Sequence, residues 1–288
     1  MFKRVLVATG GSPWSDAAVA YAVALASQAG AELRILTVLT VHAAYALPDV
    51  MASSEMVMES VERQGQELLV EASTHAARAG VAYTTLCKWG NVPETILQTA
   101  LEEECDLITL GSRMVSGRKR LLLGSISNAV TAKALQPVLL IKQPPSDSTP
   151  RLWHRVLVAT GGSPWSAGAV SFTLDLAQHQ GCEVYLLSVE SRRSRREGES
   201  GVTAEQHPAL AQAVKRAGDM GLHYEATLAY GNPIEAIVAT AADQRCDVIV
   251  LGSRGLTGWK RLMLGSTSNA VAVTSALPVL IVKRFIDA

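Results

Sequence analysis

Residues 4–15 read RVLVATGGSPWS, and the same twelve residues return at 155–166. The run RVLVA has the length of a strand and lacks the polar alternation of a half-exposed one, so it is expected to be covered on both faces. The residues after it switch to helix grammar. Gly10-Gly11 and Gly161-Gly162 make a turn, Ser12 and Ser163 stand at N-cap positions, and Pro13 and Pro164 occupy the first helical position. The apolar pattern then runs to Gly30, which stops the first helix. A strand, a glycine turn and a helix N-terminus in this order is a geometry that receives phosphates.

The repeat extends through the chain. Its start is offset by 151 residues, whereas GSR at 111 and 252, and LLLGSISNAV at 121 against LMLGSTSNAV at 262, are offset by 141. The second copy has therefore lost ten residues between its second and third strands. Self-similarity at this scale means duplicated domains rather than a short-repeat solenoid. Within the first copy, ELRILTV, VAYTTLCK, DLITLGS and PVLLIK read as further strands. Helices are expected at 54–79, from Asn91 to about Glu104, and at GSISNAVTAKAL. Strands alternating with helices imply right-handed crossovers and a doubly wound, mainly parallel sheet. The expected fold class is α/β, with two tandem domains of five parallel strands and helices on both faces. QPPSDSTP (143–150) has linker composition, placing domain one at 1–143, a linker at 144–152 and domain two at 153–288. Fifth strands that begin at Pro137 and Pro278 suit sheet edges, and pairing the two would give a pseudo-dimer with neither edge exposed.

Composition narrows the function classes. The 288 residues carry 26 basic and 26 acidic side chains, and neither half is basic enough to make nucleic acid the main partner. No apolar run reaches the ~18 residues of a membrane span, and MFKRVLVATGG enters a strand directly, which reads as cytoplasmic. Cys87, Cys105, Cys182 and Cys246 form no CxxC pair or zinc spacing and read as small buried thiols. The six histidines form no ligand spacing. Arg192, Arg193, Arg195 and Arg196 read as a solvated loop, and Trp14 and Trp165 as packing residues.

The loop after strand four is the most informative. In the second copy Gly252, Gly255 and Gly265 have the spacing G-x2-G-x9-G, followed by Ser266, Thr267, Ser268 and Asn269. Glycines admit close backbone approach, and the Gly265-Ser266 step opens a helix whose free N–H groups suit phosphate. Lys260 and Arg261 on the intervening segment are candidates for outer phosphates. In a doubly wound sheet this loop and the Gly-Gly turn meet at the strand carboxyl ends.

On the strand-one loop, the helix start Gly231-Asn232-Pro233 and the G-x2-G-x9-G-S motif, the chain resembles the universal stress protein family in tandem form, once per half. That resemblance implies ATP, with Mg, held between the loops of strands one and four, and dimerisation through fifth strands. It implies nucleotide contacts at Thr160, Gly161, Gly252, Gly255, Gly265, Ser266, Thr267 and Ser268, with Val189 and Leu251 lining the adenine pocket. The first-half counterparts are Thr9, Gly10, Val38, Gly111, Gly124, Ser125 and Ser127. Two departures stand out: Gly10 and Gly161 occupy the place of the family's nucleoside-gripping Asp, and Met114 replaces the second glycine of the first-half loop. The expectation is a stress-response sensor or regulator that binds an adenine nucleotide mainly in its second half. Its alternative is a nucleotide-free interaction module. The strand-one loop is similar to the SGGxDS loop of ATP pyrophosphatases, but Pro13 and Pro164 stand where that motif needs Asp and no downstream catalytic acid is evident, so adenylyl transfer or hydrolysis would at most accompany binding.

Overall fold

The computed structural model describes residues 2–40, 54–117, 120–142, 152–190, 203–253 and 265–283. The first half runs β1 (Arg4–Ala8), α1 (Pro13–Ala29), β2 (Glu32–Leu39), α2 (Ser54–Arg78), β3 (Tyr83–Trp89), α3 (Val92–Glu102) and β4 (Leu107–Gly111). It continues through β5 (Met114–Gly117), β6 (Arg120–Leu123), α4 (Ser125–Lys133) and β7 (Val138–Ile141). Its described strands form a parallel sheet in the order β3-β2-β1-β4-β7. The second half runs β8 (Arg155–Ala159), α5 (Pro164–Gln180), β9 (Glu183–Glu190), α6 (Pro208–Asp219) and β10 (Tyr224–Tyr230). It ends with α7 (Pro233–Asp243), β11 (Val248–Gly252), α8 (Ser266–Thr274) and β12 (Val279–Val282), in the parallel order β10-β9-β8-β11-β12. The chain winds outward from the first strand to the third, then returns to lay the fourth strand on the other side of the first. That reversal is the switch point, and right-handed crossovers put the first two helices of each half on one face and the last two on the other.

The apolar runs behave as strands covered on both faces. Val5, Leu6 and Val7, and Val156, Leu157 and Val158, are all 0% exposed. Each buried side chain of this size stabilises by about 1.5–3 kcal/mol. At the amino ends of the strands an Asp closes each sheet. Asp106 Oδ2 accepts from Lys3 N at 2.6 Å, and Asp247 Oδ2 accepts from His154 N at 2.8 Å and Arg155 N at 2.9 Å. The matching ECD and RCD triplets are thereby explained: the Asp fixes the register of strand four against the entry to strand one. The Cys beside it is buried in both halves.

The segment after β4 departs from the expected loop. β5 and β6 form an antiparallel hairpin, with Met114 opposite Leu123 and Gly117 opposite Arg120. Val115 in one strand and Leu121–Leu123 in the other give the hairpin its apolar residues. Two compact units result: Phe2–Arg113 with Gly124–Pro150, and Arg151–Ala288 with the hairpin Met114–Leu123, in which β6 lies against α8. The anticipated linker falls almost wholly outside the described residues.

Burial sets two stability expectations. A Cβ added at Gly252 would collide with the backbone carbonyl of Trp165, as one added at Gly111 would with that of Trp14. Gly252→Ala and Gly111→Ala should each cost about 1–3 kcal/mol in urea unfolding. Lys142 is 3% exposed, its Nζ donates to Ser112 Oγ at 3.2 Å, and burial lowers the amine to about 8. Between that value and the unfolded ~10.4 the unfolded chain holds the extra proton, so this group's contribution rises with pH and its penalty is complete below 8. Lys142→Met should therefore be more stable than the parent at pH 7, by on the order of 3 kcal/mol, and the gap should close as pH rises to 10.5.

Candidate functional site

In the second half the strand carboxyl ends open into a cavity of about 220 Å3. Its apolar wall is built by Leu187 and Val189 of β9, Leu251 of β11, and Pro233 and Ile237 of α7. Its polar wall comes from Thr160 and Gly161 of the strand-one turn, Ser163, Trp165 and Ser166 of α5, and Gly252 with Gly265–Ser268. Nine of the ten sequence-derived positions for this half lie together in this wall. The tenth, Gly255, lies outside the described residues, as do Lys260, Arg261 and the arginines of 192–196.

The strand-one turn is held by a chain of hydroxyls. Thr160 Oγ1 accepts from Gly162 N at 3.2 Å and donates to Ser166 Oγ at 3.1 Å, and Ser166 Oγ donates to the Ser163 carbonyl at 2.9 Å. Ser163 Oγ caps α5 by accepting from Ser166 N at 3.3 Å. These donors are fully engaged within the turn, so Thr160 shapes the cavity rather than offering it a free proton. The two glycines differ. Gly162 has φ +72, the left-handed region that glycine enters without strain. Gly161 does not, and a Cβ built there meets nothing within 4 Å. The backbone therefore accepts an acid at 161, and the space for it is open.

The opposite side is the start of α8. Its N-cap, Gly265, makes no side-chain cap hydrogen bond, and Ser266 and Thr267 are exposed. The first N–H groups of an α-helix lack intrahelical partners and carry the positive end of its dipole. Ser268 is placed differently from Ser266 and Thr267: it is buried, and its Oγ donates to the Gly252 carbonyl at 2.8 Å, tying α8 to the end of β11. With α5 also starting here, two helix N-termini converge on a wall that has no charged side chain among the described residues.

The first half repeats the frame with different filling. Ser127 Oγ donates to the Gly111 carbonyl at 3.2 Å, and Gly124 caps α4 without a side-chain bond, leaving Ser125 exposed. Val38 stands near the end of β2. A Cβ at Gly11, beside Gly10, would lie 2.6 Å from Leu68 Cδ2 of α2, whereas Gly162 faces the smaller Ala209 at 3.4 Å. Thr9 lines a cavity of about 20 Å3 with Asp16, Glu71 and His75 on the α1–α2 face. Burial raises the Asp16 carboxyl, helped by Glu71 and opposed by His75. The Arg113 guanidinium lies 5.7 Å from the centre of the Trp14 ring. Met114 enters the hairpin.

Sequence reasoning missed Leu187, Trp165, Pro233 and Ile237. Leu187 and Val189 share a face by period two, a signal that was available. Trp165, read as a packing residue, is partly exposed in the cavity wall because the helix start turns it outward. Among the described residues no helix is long and apolar enough to cross a membrane, and no group of three His, Cys, Asp or Glu could hold a metal.

Comparison with known proteins agrees with this construction. The sequence profile of the Universal stress protein family matches residues 1–142 and again 153–283. A universal stress protein of Bacillus subtilis is 35% identical over 148 residues, 49% of this chain and all of that protein. One from Mycolicibacterium smegmatis is 26% identical across 97% of this chain and 96% of its own. The crystal structure of a universal stress protein from Archaeoglobus fulgidus superposes with a TM-score of 0.77, at 25% identity and 98% coverage of both chains. Two profile matches spanning nearly all of the chain place it in the universal stress protein family, as a tandem member.

Proposed function

We propose that the second half binds an adenine nucleotide and that the protein acts as a nucleotide-responsive regulator in a stress response. The observation that carries this reading is the cavity itself, an apolar wall facing an uncapped helix start across the switch point of the sheet. Leu187, Val189, Ile237 and Leu251 would receive the base. The N–H groups at Ser266 and Thr267, with their hydroxyls, would take the phosphates, while Ser268 holds the helix in place. At about 220 Å3 the cavity is smaller than the ~300–1,000 Å3 that encloses a whole drug-sized ligand. It suits the nucleoside end, with the phosphates crossing the mouth beside α8. ATP would bring Mg on its phosphates, since no carboxylate stands in the described wall to hold the metal. Nothing in that wall is a general base or a nucleophile with one beside it, which favours binding over turnover.

Gly161 is the feature that favours the second reading, a nucleotide-free interaction module. It also supplies the discriminating variant, because its backbone and surroundings admit an acid. Calorimetry of the purified chain with ATP should show binding, and mass spectrometry should find adenine nucleotide carried through purification. Gly161→Asp should tighten binding about 10- to 100-fold by restoring a charge-assisted hydrogen bond. Gly255→Met should weaken it. Absence of binding in both the parent and Gly161→Asp would leave the interaction module as the function.

A further inference from the structure

Trp14 and Trp165 occupy the same place in the repeat, directly after the proline that opens the first helix of each half. Neither helix start needs an indole. Ser12 and Ser163 already cap the two helices, and tryptophan is only a middling helix former. Neither residue is packed away, since both keep part of their surface exposed. A fused aromatic ring brings a large apolar area, which proteins ordinarily place in a core or at a contact.

What the two residues meet differs. In the first half the Arg113 guanidinium lies 5.7 Å from the centre of the Trp14 ring, a cation–π distance. In the second half Trp165 lines the cavity and is the one aromatic residue in its described wall. Its carbonyl lies against Gly252, which holds this residue to the end of β11. Leu187 and Val189 enter the same wall from β9, and Ile237 from α7. The cavity thus has aromatic surface on its strand-one side and branched aliphatic surface on its strand-two side. A flat heteroaromatic ring gains from both, by stacking and by dispersion, whereas a sugar or a phosphate gains little from either.

We propose that Trp165 is a direct ligand contact and the specificity-determining residue of the cavity: its indole stacks on the base, and the area of that stack selects purine over pyrimidine nucleotides. This rests on the nucleotide reading of the cavity and adds the source of its base preference. Stacking tolerates different bases because each has a π face, and the described side chains from β9 and α7 are apolar. Adenine and guanine are therefore held alike by this contact, and a single-ringed pyrimidine less well.

The test is calorimetry of the full chain with ATP, GTP and UTP, the parent against three substitutions at one position. The parent should bind ATP and GTP alike and UTP on the order of tenfold more weakly. Trp165→Ala should lose about tenfold toward ATP and GTP but only about two- to threefold toward UTP, so the purine preference narrows. Trp165→Leu, which keeps bulk without a π face, should narrow it as well. Trp165→Phe should fall between the parent and Trp165→Leu, and these two variants serve if the Ala protein folds poorly. A substitution that merely loosened the helix start would weaken all three nucleotides by one factor. Equal losses therefore overturn the inference, as does a Trp165→Ala protein with the parent's ATP affinity, or a parent that holds UTP as tightly as ATP or GTP. Those results leave the nucleotide reading standing, because it is read from the parent alone. A parent that binds none of the three removes both.

Discussion

The carbonyl of Trp165 lies against Gly252, and that of Trp14 against Gly111. Much of the site depends on this close approach. It lets the first turn of the first helix settle onto the end of strand four, bringing the strand-one turn and the strand-four loop to one place. A residue with a Cβ at either glycine would push the helix start away and separate the two walls. The serine three residues after the helix-capping glycine completes the arrangement from the other side: Ser268 reaches back to the same Gly252 carbonyl, as Ser127 does to Gly111. One glycine thus joins two helix N-termini to one strand end. Its place in the motif reflects helix packing.

The two halves share this frame and differ in what lies over it. Leu68 presses on Gly11 in the first half, where Ala209 sits further from Gly162 in the second. Ile126 stands where Thr267 offers a hydroxyl. The ten residues missing from the second copy come from the segment between its second and third strands, next to the helix that carries Ala209. The two switch points therefore differ in the side chains that flank their glycine turns.

Much of the fold was legible in the sequence because its signals are local. Unbroken apolar runs, Ser-Pro helix starts and stop glycines each act within a few residues, and β1 with α1, and β8 with α5, arise from them directly. The positions lining the cavity were legible because the repeat and the motif fix their place relative to the strand ends. What sequence could not show is where each hydroxyl points. Thr160 and Ser268 look like ligand donors by type and position, yet their protons go to Ser166 and to Gly252. The hairpin β5–β6 escaped for a related reason. Glycine and basic residues favour a loop locally, and the pairing of Met114–Gly117 with Arg120–Leu123 emerges only once the two segments are brought side by side.

The cysteines carry a consequence for how the protein meets oxidants. Burial pushes the Cys105 thiol to about 12 and those of Cys182 and Cys246 to about 11, and Cys87 is raised as well, first by burial and then by Glu62. Peroxides and disulfides react with thiolates, and at neutral pH these groups keep their protons. The cysteines are therefore poor targets for peroxides and disulfides at neutral pH, whereas the exposed thioethers of Met56 and Met58 stay open to oxidation. Oxidation at sulfur in this fold would fall first on the outer face of α2, where both of those methionines stand.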